Sequence, residues 1–389
     1  MEKLVESVKK SFEERFQRKP LLIASPGRIN LIGEHTDYNE GFVLPGATDR
    51  VIVLAAAARD DQRCRFYSLD FDQEFEVSLA HLKKSSLRWP DYLEGVFDQF
   101  LKMGFKIKGL DLAFGGNIPI GAGMSSSAAL EGGLAFIINH IYDLKLDLLR
   151  LALIAQKAEN EFVGLRCGIM DMYASLHGQP GKVLKIDCRS LIHEYYPFDS
   201  PELRVIISDT GIRRELASSE YNVRRQQCEE GVRILQAYYP AIKSLRDVSL
   251  EMLEENKPDF EPVIWKRCAF VVKENMRVEL ACQDLLGQDF ISFGRRMRES
   301  HLGLKDEYEV SSPELNILVE SASKVPGVLG SRMMGAGFGG CTISLIEVEA
   351  IEEFKKKVSA DYLRITGYQP TIHLVRIEAG TRIIENNNN

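Results

Sequence analysis

The sequence lacks the marks of several large protein classes. No Cys-x-x-Cys pair occurs, and the seven cysteines (Cys64, Cys167, Cys188, Cys228, Cys268, Cys282 and Cys341) stand singly. An odd, scattered set excludes a disulfide framework and points to a reducing compartment. The 7 histidines include no His-Glu-x-x-His pair, so no zinc centre is expected. No continuous apolar run opens the chain as a signal peptide would, and the longest run, Val51–Ala58, falls far short of a membrane span. Basic residues do not predominate: 49 Lys and Arg stand against 56 Asp and Glu, a net charge of −7. A duplex-binding protein would carry a basic face, so neither nucleic acid nor a membrane is the expected partner. The 30 glycines and 14 prolines follow no repeat, which excludes a collagen-like chain. What remains is a cytoplasmic protein that acts on a small ligand.

Its 389 residues allow about two to three domains and a core large enough to need no disulfide or metal. Leu4, Val8, Phe12 and Phe16 recur at helical spacing and predict an amphipathic N-terminal helix. Short strands are expected over 21–25 and 29–33, on either side of a Pro26–Gly27–Arg28 loop, with a buried strand over 50–58. RCRFYS and EFEVSL alternate polar and apolar residues around an Asp70–Asp72 turn, as a hairpin does. Pro90 opens a helix ending near Gly104, another helix starts among Ser125–Ser127, and Asp147 caps a third that Gly164 ends. Strands are expected over 182–186 and 203–208, with a domain boundary within 189–202. The second half reads as helices over 215–238, 243–255, 262–286, 312–324 and 349–365, with strands over 328–333, 341–347 and 371–377. The order lacks regular βαβ alternation, which favours an α+β fold. The terminal asparagines read as a polar tail.

Three glycine-rich segments carry the chemistry. IPIGAGMSSSAAL (118–130) lies between a strand and a helix, where Gly121 and Gly123 admit a ligand close to the backbone. The free N–H groups and dipole of the following helix favour phosphate. No Gly-Lys-Ser/Thr ending follows, so this is not a Walker A loop, and Ser126 stands where a dinucleotide fingerprint needs its third glycine. GAGFGGC (335–341) matches Gly-x-Gly-x-x-Gly, but a strand follows it where a dinucleotide fold requires a helix. SPGRINLIGEHTDYNEG (25–41) gathers Arg28, Glu34, His35, Asp37, Tyr38 and Asn39 among glycines. Its carboxylates can each accept sugar hydroxyls.

Together, in this order, these segments resemble the three motifs of the GHMP small-molecule kinases. Within that superfamily GRINLIGEHTDYN, CGIMDMY (167–173), LASSEYNVRRQQCEE (216–230) and EYEVSSPEL (307–315) resemble the galactokinase family, over roughly residues 20 to 380. The resemblance implies a two-domain α+β fold. Residues 1–190 would carry a mixed sheet with helices, and residues 191–389 helices on a mainly antiparallel sheet. It implies ATP as co-substrate and galactose as acceptor. Glu34, His35, Thr36, Asp37, Gly168 and Tyr221 would bind the sugar. Asp171 would be the catalytic carboxylate and Arg28 its basic partner. Ile120, Gly121, Ala122, Gly123, Met124, Ser125 and Ser126 would hold the ATP phosphates. Mg²⁺ would be held by Ser126 and Glu159; spacing alone does not separate Glu159 from Glu161, and the family pattern selects Glu159. Trp89 would lie on the adenine side, and the protein would act as a monomer. Met334, Asn316 and Arg214–Glu215 depart from the family pattern. They leave open a relative acting on N-acetylgalactosamine, arabinose or galacturonate. A non-catalytic galactose sensor is the remaining alternative, though the stretch Ser125–Ala129 that sensors shorten is intact here.

Overall fold

The computed structural model describes residues 1–119, 123–212 and 217–385. Helix α1 (Glu2–Phe16) buries Val8 and Phe12 against one face of a sheet, on Leu22, Ala24, Val51, Val53 and Ala113. That sheet is built from β1 (Leu21–Asn30), β3 (Pro45–Ala58), β4 (Arg63–Ser68), β5 (Gln73–Ser78) and β6 (Leu110–Gly116), with β2 (Phe42–Val43) standing apart in another sheet. The two expected strands over 21–33 are one: β1 runs through Pro26–Arg28 with a bulge and stays paired to β3 on both sides. Pro26 fits because a bulge relaxes the ladder at a residue without an N–H.

Four helices cover or flank the opposite face: α2 (Trp89–Lys102), α3 (Ser126–Ile141), α4 (Leu148–Lys157) and α5 (Met170–His177). Asp147 caps α4 by accepting from the Arg150 backbone N–H at 2.8 Å. A π-turn over Ala158–Val163 prolongs it, and Gly164 ends it at φ 94°. Next come β7 (Lys182–Asp187) and β8 (Ile192–Pro197), which complete a small antiparallel sheet with β2. Strand β8 lies inside the 189–202 stretch expected to hold a domain boundary; its few residues are half-exposed, so no apolar alternation marks them.

The second half opens with β9 (Leu203–Asp209) and proceeds through α6 (Ala217–Gln236), α7 (Leu250–Glu255), α8 (Pro262–Leu286), α9 (Phe290–Leu302) and α10 (Pro313–Ser323). Helix α9 is absent from the sequence reading. It follows α8 after three residues and buries only a narrow stripe that includes Phe293 and Met297. Strand β10 (Val328–Met334) and β11 (Cys341–Glu347) form a hairpin around the third glycine segment; α11 (Ile351–Thr366) and β12 (Thr371–Val375) follow. Among the described residues β10, β11, β9 and β12 make an antiparallel sheet in that order. The chain then returns: β13 (Arg382–Ile383) pairs with β1 at the edge of the first sheet, whose order is β13-β1-β3-β6-β4-β5. Only the β4–β6 pair is parallel there. The fold is α+β, a mixed sheet followed by an antiparallel one, each layered with helices. None of the seven cysteines is in a disulfide, and no described helix is long and apolar enough to cross a membrane. Residues 386–389, most of the expected tail, lie outside the described residues.

Candidate active site

The loop after β1 leaves the first sheet and is gripped by the second half of the chain. Arg332 on β10, fully buried, donates to the carbonyls of Asn30 (2.6 Å), Leu31 (2.7 Å) and Met333 (2.8 Å) and to Glu34 Oε1 (3.0 Å). The Gly335 N–H donates to the same Glu34 oxygen at 2.9 Å. From α8, Glu274 accepts the Gly33 N–H at 3.0 Å and Asn275 accepts the Phe42 N–H at 2.8 Å. Each such buried backbone group would cost about 1–3 kcal/mol if left unpaired. The loop shape is therefore imposed across the two halves. Gly33 sits at φ 97°, and a Cβ there would meet the Phe42 carbonyl at 2.7 Å, so the turn requires glycine.

An aromatic corner follows. His35 Nδ1 lies 2.7 Å from the Tyr38 hydroxyl and Nε2 3.2 Å from the Ala336 carbonyl. The Tyr38 hydroxyl is 2.7 Å from that of Tyr308. The rings of Tyr221 and Tyr308 pack on His35 at 5.5 and 4.8 Å. Burial first, with the nearby Arg224 and Arg332 charges adding to it, lowers His35 to about 3. The ring is neutral at physiological pH. Thr36 does not face the site: it is fully buried and its hydroxyl is directed at the carbonyls of Gly33 and Phe42. It shapes the loop from behind.

Arg28, at the bulge of β1, meets α5. Its Nε and Nη2 donate to the two oxygens of Asp171 at 2.7 and 2.8 Å, and Nη1 donates to the Gly123 carbonyl. The Arg28 backbone N–H donates to Met124 O at 3.0 Å, and the Ser125 hydroxyl donates to Asp171 Oδ2. The phosphate-type loop and the carboxylate are thus tied to one guanidinium. Gly27 permits this: a Cβ there would stand 2.6 Å from the Met124 carbonyl. Ser126 opens α3. Ile120, Gly121 and Ala122 lie outside the described residues.

These groups converge on one cavity of about 430 Å³. Arg28, Glu34, His35, Asp37, Gly123, Met124, Ser125, Ser126, Glu159, Gly168, Asp171 and Tyr221 line it, with Gly335 and Ala336 of the third glycine segment. Gly168 has a steric reason: a Cβ there would fall 1.9 Å from Asp37 Oδ2. Burial, reinforced by the Asp171 charge, pushes both Asp37 and Glu159 up to about 7. Among the described residues, four carboxylates against one lining arginine make a cavity that attracts hydroxyl donors and cations. Trp89 lines a smaller neighbouring cavity of about 240 Å³ with Tyr92, Phe114, Ser126 and Ser127. Met334, one of the departures, stands where the third loop approaches Gly123; Arg214 and Glu215 lie outside the described residues.

Sequence reasoning assigned no role to Arg332, Glu274, Asn275 or Tyr308. The available signals were a lone arginine in an apolar strand and an adjacent acid and amide inside a long, mostly apolar helix.

The galactokinase galactose-binding signature matches residues 10–58. The N-terminal domain of GHMP kinases matches 91–179, and their C-terminal domain 279–363. Galactokinase of Roseiflexus sp. (strain RS-1) is 40% identical over 381 residues, covering 97% of each chain. That of Clostridium perfringens (strain 13) is 40% identical over 382 residues, 96% of this chain and 98% of its own. The crystal structure of Lactococcus lactis galactokinase complexed with galactose superposes with a TM-score of 0.94 at 33% identity, over 97% of this chain and 99% of that one. The fold is that of the GHMP kinases, ATP-dependent enzymes. Within them, the chain belongs to the galactokinase family.

Proposed function

We propose that the chain transfers the γ-phosphoryl group of ATP to the 1-hydroxyl of galactose, giving galactose 1-phosphate and ADP. The bidentate Arg28–Asp171 pair carries this reading, because it stands where the sugar loop and the phosphate loop meet. Phosphoryl transfer depends mainly on positioning and charge neutralisation. An ordinary carboxylate is too weak a base to ionise a hydroxyl beforehand. Asp171 therefore orients the 1-hydroxyl and accepts its proton as the new O–P bond forms and the bond to ADP breaks. Arg28 holds Asp171 and stabilises charge on the transferring group. Gly123, Met124, Ser125 and Ser126, with Ile120, Gly121 and Ala122 before them, would cradle the phosphates at the N-terminus of α3.

The acceptor's hydroxyls would be read by Glu34, Asp37 and Tyr221, with Gly168 giving room. Glu34 suits this role because Arg332 and the Gly335 N–H both hold Oε1, leaving Oε2 available among the described residues. His35 would form a wall, since both ring nitrogens are engaged within the protein. Ser126 and Glu159 fit a hard divalent cation: both line the cavity with oxygen, and a cation beside Glu159 would favour the ionised carboxylate that burial and the Asp171 charge disfavour. Among the described residues no group of three acidic, histidine or cysteine side chains could hold a metal. Mg²⁺ would therefore complete its shell with phosphate oxygens and water. It would supply charge neutralisation at the phosphates. This reading takes the protein as a monomer, and the seven unbridged cysteines support a cytoplasmic enzyme.

The test is ADP release by the purified protein with Mg-ATP and a panel of galactose, N-acetylgalactosamine, arabinose and galacturonate. Galactose should give the highest kcat/KM, and no ADP release despite binding of both substrates would sink the reading. Asp171→Asn should retain galactose binding in calorimetry while kcat falls by about 10³, the range of a lost proton acceptor. Near-wild-type turnover would remove Asp171 from its role.

A further inference from the structure

The contacts around His35 define the direction of a buried hydrogen-bond chain. A carbonyl oxygen only accepts, so the bond between His35 Nε2 and Ala336 O requires a proton on Nε2. The ring is neutral, held so by burial, and its Nδ1 therefore carries a lone pair. Nδ1 must accept from the Tyr38 hydroxyl, 2.7 Å away. Tyr38 has only one hydroxyl proton, so its oxygen accepts from Tyr308 at 2.7 Å. Tyr308 in turn has no proton left for the Cys228 sulfur 3.3 Å away, and the thiol is the donor there. One carbonyl thus orders four side chains: Cys228 Sγ–H to Tyr308, Tyr308 to Tyr38, Tyr38 to His35 Nδ1, and His35 Nε2–H to Ala336.

The chain joins distant segments. Cys228 lies on α6, Tyr308 just before α10, Tyr38 and His35 in the sugar loop, and Ala336 in the third glycine loop. Tyr308 is fully buried, its backbone carbonyl accepts from Arg224 Nε at 2.9 Å, and the Phe270 ring packs on its ring at 4.8 Å. Gly335, next to the terminal acceptor, gives its N–H to Glu34.

We propose that Tyr308 is a positioning residue for the sugar: through Tyr38 it reinforces the Nε2–H tautomer of His35 that the Ala336 carbonyl selects, and so pins the third glycine loop against the loop carrying Glu34. Without a donor at Tyr38, the hydroxyl oxygen is left short of a partner in a dry site and the bond to Nδ1 weakens. The alternative tautomer would aim a nitrogen lone pair at the Ala336 carbonyl and separate the loops. Arg28, Asp171 and the phosphate loop make none of these bonds, and the third glycine loop meets Gly123 only in ordinary van der Waals contact, so the effect falls mainly on the acceptor. The kinetic part rests on the sugar-kinase reading; the tautomer does not.

The test uses the full-length protein. With ¹⁵N-labelled histidine, and the His35 signals identified by their loss in His35→Gln, Nδ1 should be unprotonated and hydrogen-bonded and Nε2 protonated. A protonated Nδ1 in the wild type overturns the proposal, whether or not any variant folds. Tyr308→Phe should raise the galactose KM about tenfold, the scale of one buried hydrogen bond, and shift the Nδ1 resonance toward that of a free lone pair. Its kcat and ATP KM should stay within about twofold. Cys228→Ser, which keeps a donor at the head of the chain, should rescue what Cys228→Ala loses. A Tyr308→Phe enzyme with wild-type galactose KM and an unmoved Nδ1 signal would overturn the assignment. An enzyme that phosphorylates no sugar at all refutes the proposed function instead, while the labelling experiment still decides the tautomer.

Discussion

Asp37 and Glu159 are carboxyl groups that the protein holds in an unfavourable state. Burial and the Asp171 charge raise each to about 7, from 3.8 and 4.5 respectively. A carboxyl with a raised native pKa binds its proton more tightly when folded. Its stabilising contribution is full below the unfolded pKa and is lost as pH climbs through the native one. Ligand-free protein should therefore lose stability between about pH 4 and about pH 7 through these two groups. Urea midpoints at about pH 5 and about pH 8 should differ less for Asp37→Asn than for wild type; an equal or larger difference would refute the shift. Gly168 makes a second, steric prediction. Gly168→Ala places a methyl 1.9 Å from Asp37 Oδ2, so Asp37 must move. The galactose KM should rise at least about tenfold, the loss of one good charged hydrogen bond, with ATP KM unchanged in the same steady-state assay. Gly168 was legible as a site residue from its motif; its contact with Asp37 was not, because the two are far apart in sequence.

At the scale of elements, β10 is the joint between the halves. Its arginine spends every hydrogen bond on the sugar loop and the adjoining backbone. Arg332→Met preserves bulk but strands the Asn30 and Leu31 carbonyls and leaves Glu34 without its buried counter-charge. Breaking such a pair typically costs about 3–5 kcal/mol. Urea unfolding should show that loss, and galactose affinity should fall with it; a change below about 1 kcal/mol would mean the pair is not coupled to stability. Long helices were readable: α1, α2, α3 and α8 stand within a few residues of where the sequence predicts them. Short or half-exposed elements were not. Strand β8 shows little alternation, α9 buries only a narrow stripe, and β1 was divided at Pro26 because a bulge leaves no composition signal.

For the whole molecule, the two halves are interleaved. The second half supplies Arg332, Glu274, Asn275 and Tyr308 to a loop of the first, and β13 returns to pair with β1. Fragments 1–190 and 191–389 expressed separately should each fail to give a cooperative thermal transition, and neither should bind galactose in calorimetry. A separately folded, sugar-binding 1–190 fragment would contradict this. The net charge of −7 has a counterpart in the site, where carboxylates outnumber the lining arginine. On the proposed reading, an anionic nucleotide would be accommodated by local devices: a helix N-terminus, Arg28 and a divalent cation.

The sequence by itself determined the α+β class and the order of the glycine segments, because periodicity and turn chemistry are local properties, while the family resemblance pointed to most residues of the cavity. Tertiary structure alone decided how those residues are used. It turned Thr36 behind the loop, occupied both nitrogens of His35, placed Asp37 against Gly168 and brought Arg332 across some 300 positions to the sugar loop. Such contacts arise from the packing of one half on the other. Hydrogen-bond partners far apart along the chain leave no spacing to read.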